Sequence, residues 1–428
     1  MGTQPELRIL MGRSEYQDAH GDVKVFFEGV SSPQARERSS RIDAELGAGF
    51  LLREIQACRT GGESASALSD PDRRLVLALA DGVTSERGRG IVALTILQLA
   101  IKAICPGQDI RLHKATRSAS SFGWVEGVPM RTLDKNHVTP ALRKTGLLSM
   151  NADGAMMTRA LAENYPYTLV YRAALQGPRV EWLTLIDRIE AGLVEPTAAL
   201  RALVGALVGQ TDEFDELAEA VVAAAARFTP PSHDPIGAAR ELIWHHVTAA
   251  VHSARLMEVA LHSLLLALED DPAAGSGTVR PLGQMRSANK KHGNVGDVEI
   301  EDDGVLLVAW DAKYGKRNLL DALEELGEKL EQHPDVIEAG FVVSGDLDDV
   351  TAHAARAQSL SDEMSATVEV VSFDDWVEGR TANATDTTRV AQRWVVLYSA
   401  ALALRSDRAP LDEPTFAWLA TLLPLLEA

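Results

Sequence analysis

The residues best suited to chemistry lie close together in GDVEIEDDGVLLVAWDAK, residues 296–313. Asp297 stands near the start of one β-rich run, and Asp311 and Lys313 stand at the end of the next. Side chains alternate along a strand, so Asp311 and Lys313 share a face while Ala312 points away. Antiparallel pairing across Asp302-Asp303-Gly304 brings Asp297 toward Asp311. Two hard carboxylates suit Mg²⁺, which keeps waters and takes a phosphate oxygen in addition. Such an ion polarises a phosphodiester, and Lys313 is placed to orient the attacking water or help deprotonate it. By alternation Glu299 shares the face of Asp297, and Glu258 lies on the preceding helix. Both are candidate supporting carboxylates.

The elements that must position these groups read clearly after residue 283. Residues 295–301 and 305–311 form two strands joined by a turn. Leu319, Leu320, Leu323, Leu326 and Leu330 then recur at helical spacing. A strand at 339–343, a helix near 351–360 and a strand at 367–371 follow. The order helix, hairpin, helix, strand, helix, strand predicts a mixed α/β sheet with helices on its faces. Trp310 faces away from the acidic pair, into the core. Upstream, residues 183–228 and 236–268 read as mostly helical. The N-terminal third is less legible: LVLALA at 75–80 reads as a buried strand and 90–104 as a helix.

Gly296-Asp297 followed by Asp311-Ala312-Lys313 resembles the PD-(D/E)xK nuclease signature, with Gly296 where proline is often found. Residues 289–346, with KHGNVGDVEI and AWDAKYGK, resemble type II restriction endonucleases of the SacI kind, and residues 131–167 are similar to a stretch of such enzymes. The resemblance implies an α/β (α+β) restriction-endonuclease-like core, a mixed sheet flanked by helices, with a largely helical additional region. It implies a Mg²⁺-dependent homodimer cutting both strands of double-stranded DNA at a short sequence. Asp297 and Asp311 would be the metal ligands and Lys313 the third catalytic residue. The alternatives are a repair, structure-specific or modification-dependent nuclease, and a catalytically idle DNA- or protein-binding module of the same fold.

The chain's 428 residues predict more than one packed unit. The expected division is 1–110 without assigned role, 111–235 mostly helical, 236–375 the nuclease core and 376–428 C-terminal helices. No apolar run reaches bilayer length and no secretory signal is visible, so a soluble protein is expected. Only two cysteines occur, which fits a reducing cytoplasm. A net charge of −19 argues against nonspecific coating of nucleic acid. Basic residues are nevertheless clustered. Arg111, Lys114, Arg117, Arg131, Lys135, Arg143 and Lys144 form one candidate DNA-binding group, and Arg286, Lys290 and Lys291 form a second. His245, His246, His252 and His262 lack the i, i+4 pairing of a helical metal site. The segment 81–90 carries no phosphate-binding glycine motif.

Overall fold

The computed structural model describes residues 4–61, 68–84, 86–148, 150–157, 159–271, 273, 277–283, 294–404 and 414–428. Arg286, Lys290 and Lys291 lie outside the described residues. The chain divides into two compact units, Met1–Glu213 and Phe214–Ala428.

The first unit opens with an antiparallel sheet of β1 (Glu6–Leu10), β2 (Arg13–Gln17) and β3 (Val23–Phe27). Helices α1 (Pro33–Gly47), α2 (Phe50–Arg59), α3 (Asp70–Asp81), α4 (Glu86–Ile104), α5 (Met130–Leu133), α6 (Thr139–Lys144), α7 (Arg179–Glu190) and α8 (Pro196–Arg227) follow, the last running through the division. Residues 75–80, expected as a strand, belong to α3. The Ser69 hydroxyl caps that helix by accepting from Asp72 N–H, and Pro71 sits in its first turn, where a missing N–H costs nothing. Val76, Leu79 and Ala80 are buried at helical spacing while Leu77 stays exposed. The helix expected at 90–104 is present as α4. The expected boundary at residue 110 does not separate two units. Ile42, Leu51 and Ile55 share one core with Ile110, Leu142, Tyr167 and Trp182.

The second unit begins with α9 (Pro235–Ala249) and α10 (Ser253–Leu268). Strands β4 (Thr278–Val279), β5 (Val298–Asp302) and β6 (Val305–Lys313) come next, then α11 (Leu320–Gln332), β7 (Glu338–Val343), α12 (Val350–Met364) and β8 (Thr367–Ser372). Helices α13 (Phe373–Thr381), α14 (Thr387–Ala403) and α15 (Thr415–Glu427) close it. The strands form one mixed sheet in order β4-β5-β6-β7-β8, antiparallel from β4 to β6 and parallel from β6 to β8. The expected order of helices and strands and the mixed α/β architecture are therefore present.

Period-two alternation divides the core between the sheet's faces. Val308, Trp310 and Val342 pack with α9, α10 and the C-terminal helices. Ala309, Phe341 and Val343 pack with Leu323, Leu326 and Leu330 of α11 and Leu360 of α12. The C-terminal helices share the first of these cores, so the expected boundary at 375 does not mark a unit. Trp310 is buried, and its indole N–H donates to Glu338 at 2.8 Å. His246 is held by the Tyr398 hydroxyl at 2.7 Å and the Trp418 carbonyl at 2.9 Å, and His262 by the Arg280 carbonyl at 2.9 Å. These two histidines act in packing.

The hairpin turn is a two-residue loop, since Asp302 pairs with Val305. Asp303 and Gly304 both have positive φ, 47° and 81°, the pattern of a type I′ turn that matches strand twist. A side chain in the left-handed region costs about 1–2 kcal/mol. Gly304→Ala is therefore expected to destabilise the protein by about 1–2 kcal/mol, read as a lower urea midpoint at unchanged slope.

Candidate active site

The β5/β6 register pairs Val298 with Trp310, so one step further along it Asp297 stands opposite Asp311. Asp297 lies just outside β5, in the loop that enters it. Like charges directly across two strands repel, and here they do so away from bulk water. Asp297 shares a hydrogen bond with the Asp311 carboxyl, and Glu258 of α10 adds negative charge nearby. Burial first, then the contact with Asp311 and these charges, pushes Asp297 up to about 9. One interaction works the other way: the Ala312 N–H donates to Asp297 Oδ2 at 3.0 Å.

Lys313 completes the group. Its ammonium donates to Asp311 Oδ2 at 2.6 Å and lies 5.2 Å from the centroid of the Phe341 ring. Asp311 is buried and Lys313 half-buried. The three residues expected to act together are thus brought together at the end of β6.

The supporting residues divide. Glu258 does lie near Asp297, and it also pairs with Arg255. Glu299 is corrected from the expected metal-supporting position. Its Oε1 accepts from the N–H groups of Val295 and Gly296 at 2.7 and 3.2 Å, and its Oε2 from Arg280 at 2.9 Å. These bonds occupy the carboxylate with holding the loop that carries Asp297. Gly296 has its own reason in that loop. A Cβ there would lie 2.7 Å from the Trp310 carbonyl oxygen and 2.9 Å from Trp310 C and N. No side chain fits there without moving β6, which accounts for glycine at position 296.

Among the described residues no group of three or more His, Cys, Asp or Glu is arranged to hold a metal ion. The carboxyls that could serve as donors are the pair Asp297 and Asp311. That set fits Mg²⁺, which binds through one or two carboxylates plus waters and substrate phosphate. It fits on electrostatic grounds as well, because a divalent cation would compensate the burial and neighbouring negative charge that raise Asp297.

The basic residues of the first unit behave unevenly. Arg111 is corrected: it is buried in an ion-pair network with Asp109 at 2.7 Å and Glu190 at 3.9 Å, and cannot reach a DNA surface. Lys135 is exposed but paired with Asp153 at 3.0 Å. Lys114 bonds Asn164, and Arg131 contacts the Met157 sulfur. Arg117 and Lys144 are exposed and Arg143 is half-buried. Arg117 lines an open cleft with Arg36, Ser40 and Thr116. Sequence reasoning missed Lys329 of α11, which lines a cavity of about 180 Å³ together with Asp311 and Lys313. Its only signal is its position three residues after Leu326, at the edge of the helix's apolar stripe.

No protein-family model matches the chain, and none of the curated proteins does.

Two outcomes follow from this geometry. The folded-state pKa of Asp297 lies above its unfolded value, so folding takes up a proton between about pH 4 and 9. Stability of the metal-free protein should therefore fall as pH rises through that window. Asp297→Asn, which keeps an acceptor for the Ala312 N–H, should flatten the slope in thermal melts across pH. Gly296→Ala should lower the melting temperature and weaken divalent-cation binding, measured by titration calorimetry.

Proposed function

We propose that this protein is a Mg²⁺-dependent endodeoxyribonuclease of the type II restriction kind, with a PD-(D/E)xK-like catalytic core in the second unit. The observation that carries this reading is the cross-strand carboxyl pair Asp297 and Asp311, with the Lys313 ammonium 2.6 Å from Asp311. Two carboxyl groups forced together away from water are a costly arrangement that a bound cation makes useful.

Mg²⁺, when bound, supplies charge neutralisation at the phosphate. The chain's own residues do the rest. Asp297 and Asp311 would hold the ion, which requires the Asp297 carboxyl to give up its proton. The Ala312 N–H and the loop held by Glu299 fix the Asp297 carboxylate before substrate arrives. Lys313, steadied by Asp311 and the face of Phe341, offers its ammonium to the attacking water and to the negative charge that builds on phosphorus. The water's oxygen bonds to phosphorus as the bond to one ribose oxygen breaks; the water gives a proton to solvent and the departing oxygen takes one up, leaving a phosphate monoester and a hydroxyl end.

Double-stranded DNA is the proposed partner, and a homodimer would let each protomer cut one strand. With a net charge of −19, loose attraction to DNA is weak. Docking then depends on local basic surface, for which the exposed Arg117 and Lys144 are candidates.

Purified protein incubated with unmethylated phage DNA should produce discrete fragments with Mg²⁺ and none with EDTA. Asp311→Ala or Lys313→Ala should reduce the rate by at least about 100-fold, in line with losing one preorganised charge at a reacting centre. Cutting confined to methylated or branched DNA would move the reading to a modification-dependent or structure-specific nuclease. Intact DNA under all conditions would leave a binding module.

A further inference from the structure

Helix α11 brings a second lysine to the same cavity. Val295, Asp311, Lys313, Glu325, Lys329 and Phe341 are among its walls. The Lys329 side chain is only 19% exposed, and its ammonium donates to the Val295 carbonyl at 3.2 Å. Glu325, one turn earlier, lies 3.6 Å away and is 48% exposed. An ammonium has three donors. The carbonyl takes one, and the half-exposed Glu325 is a long, solvent-screened partner. A tether to a backbone carbonyl needs no positive charge, yet a positive charge has been brought into a confined space beside Lys313.

Two ammonium groups around one cavity next to a carboxyl pair make a seat for an anion with several oxygens. Asp311 and Glu325 share these walls, so the two lysines balance the cavity's charge rather than leave it acidic. The carboxyl pair takes the cation, and the lysines are left to take the negative group that the cation attracts. We propose that Lys329 contacts the substrate directly, binding a non-bridging oxygen of the phosphodiester to be cut, with Lys313 on its other side. The inference rests on the nuclease reading. It adds a second charged contact on a helix outside the Asp297, Asp311 and Lys313 motif.

The test compares the full-length wild type with Lys329→Gln and Lys329→Arg on unmethylated phage DNA, after thermal melts establish that each variant folds. Lys329→Met, which keeps the stem and its packing, takes the place of Lys329→Gln if that variant does not fold. Two quantities are read: the single-turnover cleavage rate in Mg²⁺, and the dependence of DNA binding on salt in Ca²⁺. Loss of one phosphate contact should lower the slope of log K against log salt by about 0.9. The uncharged variant should also cut at least about 100-fold more slowly. Lys329→Arg should restore the slope and part of the rate. A folded uncharged variant with the wild-type slope makes Lys329 a tether of the Val295 loop, whatever its rate, and overturns the inference while the nuclease reading stands. A wild type that neither binds nor cuts DNA overturns both.

Discussion

The second unit depends on one unfavourable contact, the approach of Asp297 to Asp311 across the β5/β6 hairpin. An isolated pair of carboxylates in such contact would separate. Here several features hold them together. The I′ turn at Asp303-Gly304 sets the register, Gly296 allows the incoming loop to lie against the Trp310 backbone, and Glu299 secures that loop by accepting two of its N–H groups. Burial first, and then the neighbouring Asp311 and Glu258 carboxyls, keep a proton on Asp297. Strain of this kind is sustained only when the surrounding structure over-determines it, and it commonly marks a site whose ligand relieves it.

The sheet makes the arrangement rigid by using its two faces differently. Trp310 enters one core while Asp311, the next residue, is turned toward the α11 side. On that side Leu323, Leu326 and Leu330 pack α11 against Ala309 and Phe341. The same packing brings Lys329 over the cavity and sets the Phe341 ring beneath Lys313. Core packing and the polar site are thus consequences of one alternation.

Legibility in the sequence followed the range of the interactions. The hairpin, its turn and the order of elements after it were readable because period-two alternation and turn residues are local signals. The grouping of Asp297, Asp311 and Lys313 came from the same signals. Glu299 was misplaced because alternation gives a face but not a hydrogen-bond partner, and the loop N–H groups of Val295 and Gly296 are its partners. Lys329 was hidden because its relevance depends on how α11 docks. In the first unit the short apolar run at 75–80 reads as a strand by itself, whereas the Ser69 cap and the one-sided burial of Val76, Leu79 and Ala80 make it a helix. Arg111 read as surface because nothing local announces that Asp109 and Glu190 enclose it. The single core spanning residues 42–208 likewise erased the boundary expected at 110.

On the proposed reading the carboxyl pair is a cation site kept protonated until the ion arrives. Titration calorimetry of Mg²⁺ into the protein near pH 7, repeated in buffers of different ionisation enthalpy, tests it directly. Binding that releases about one proton per ion, and loses that release in Asp297→Asn, is the predicted result. Failure to bind Mg²⁺, or binding with no proton released, would contradict the account.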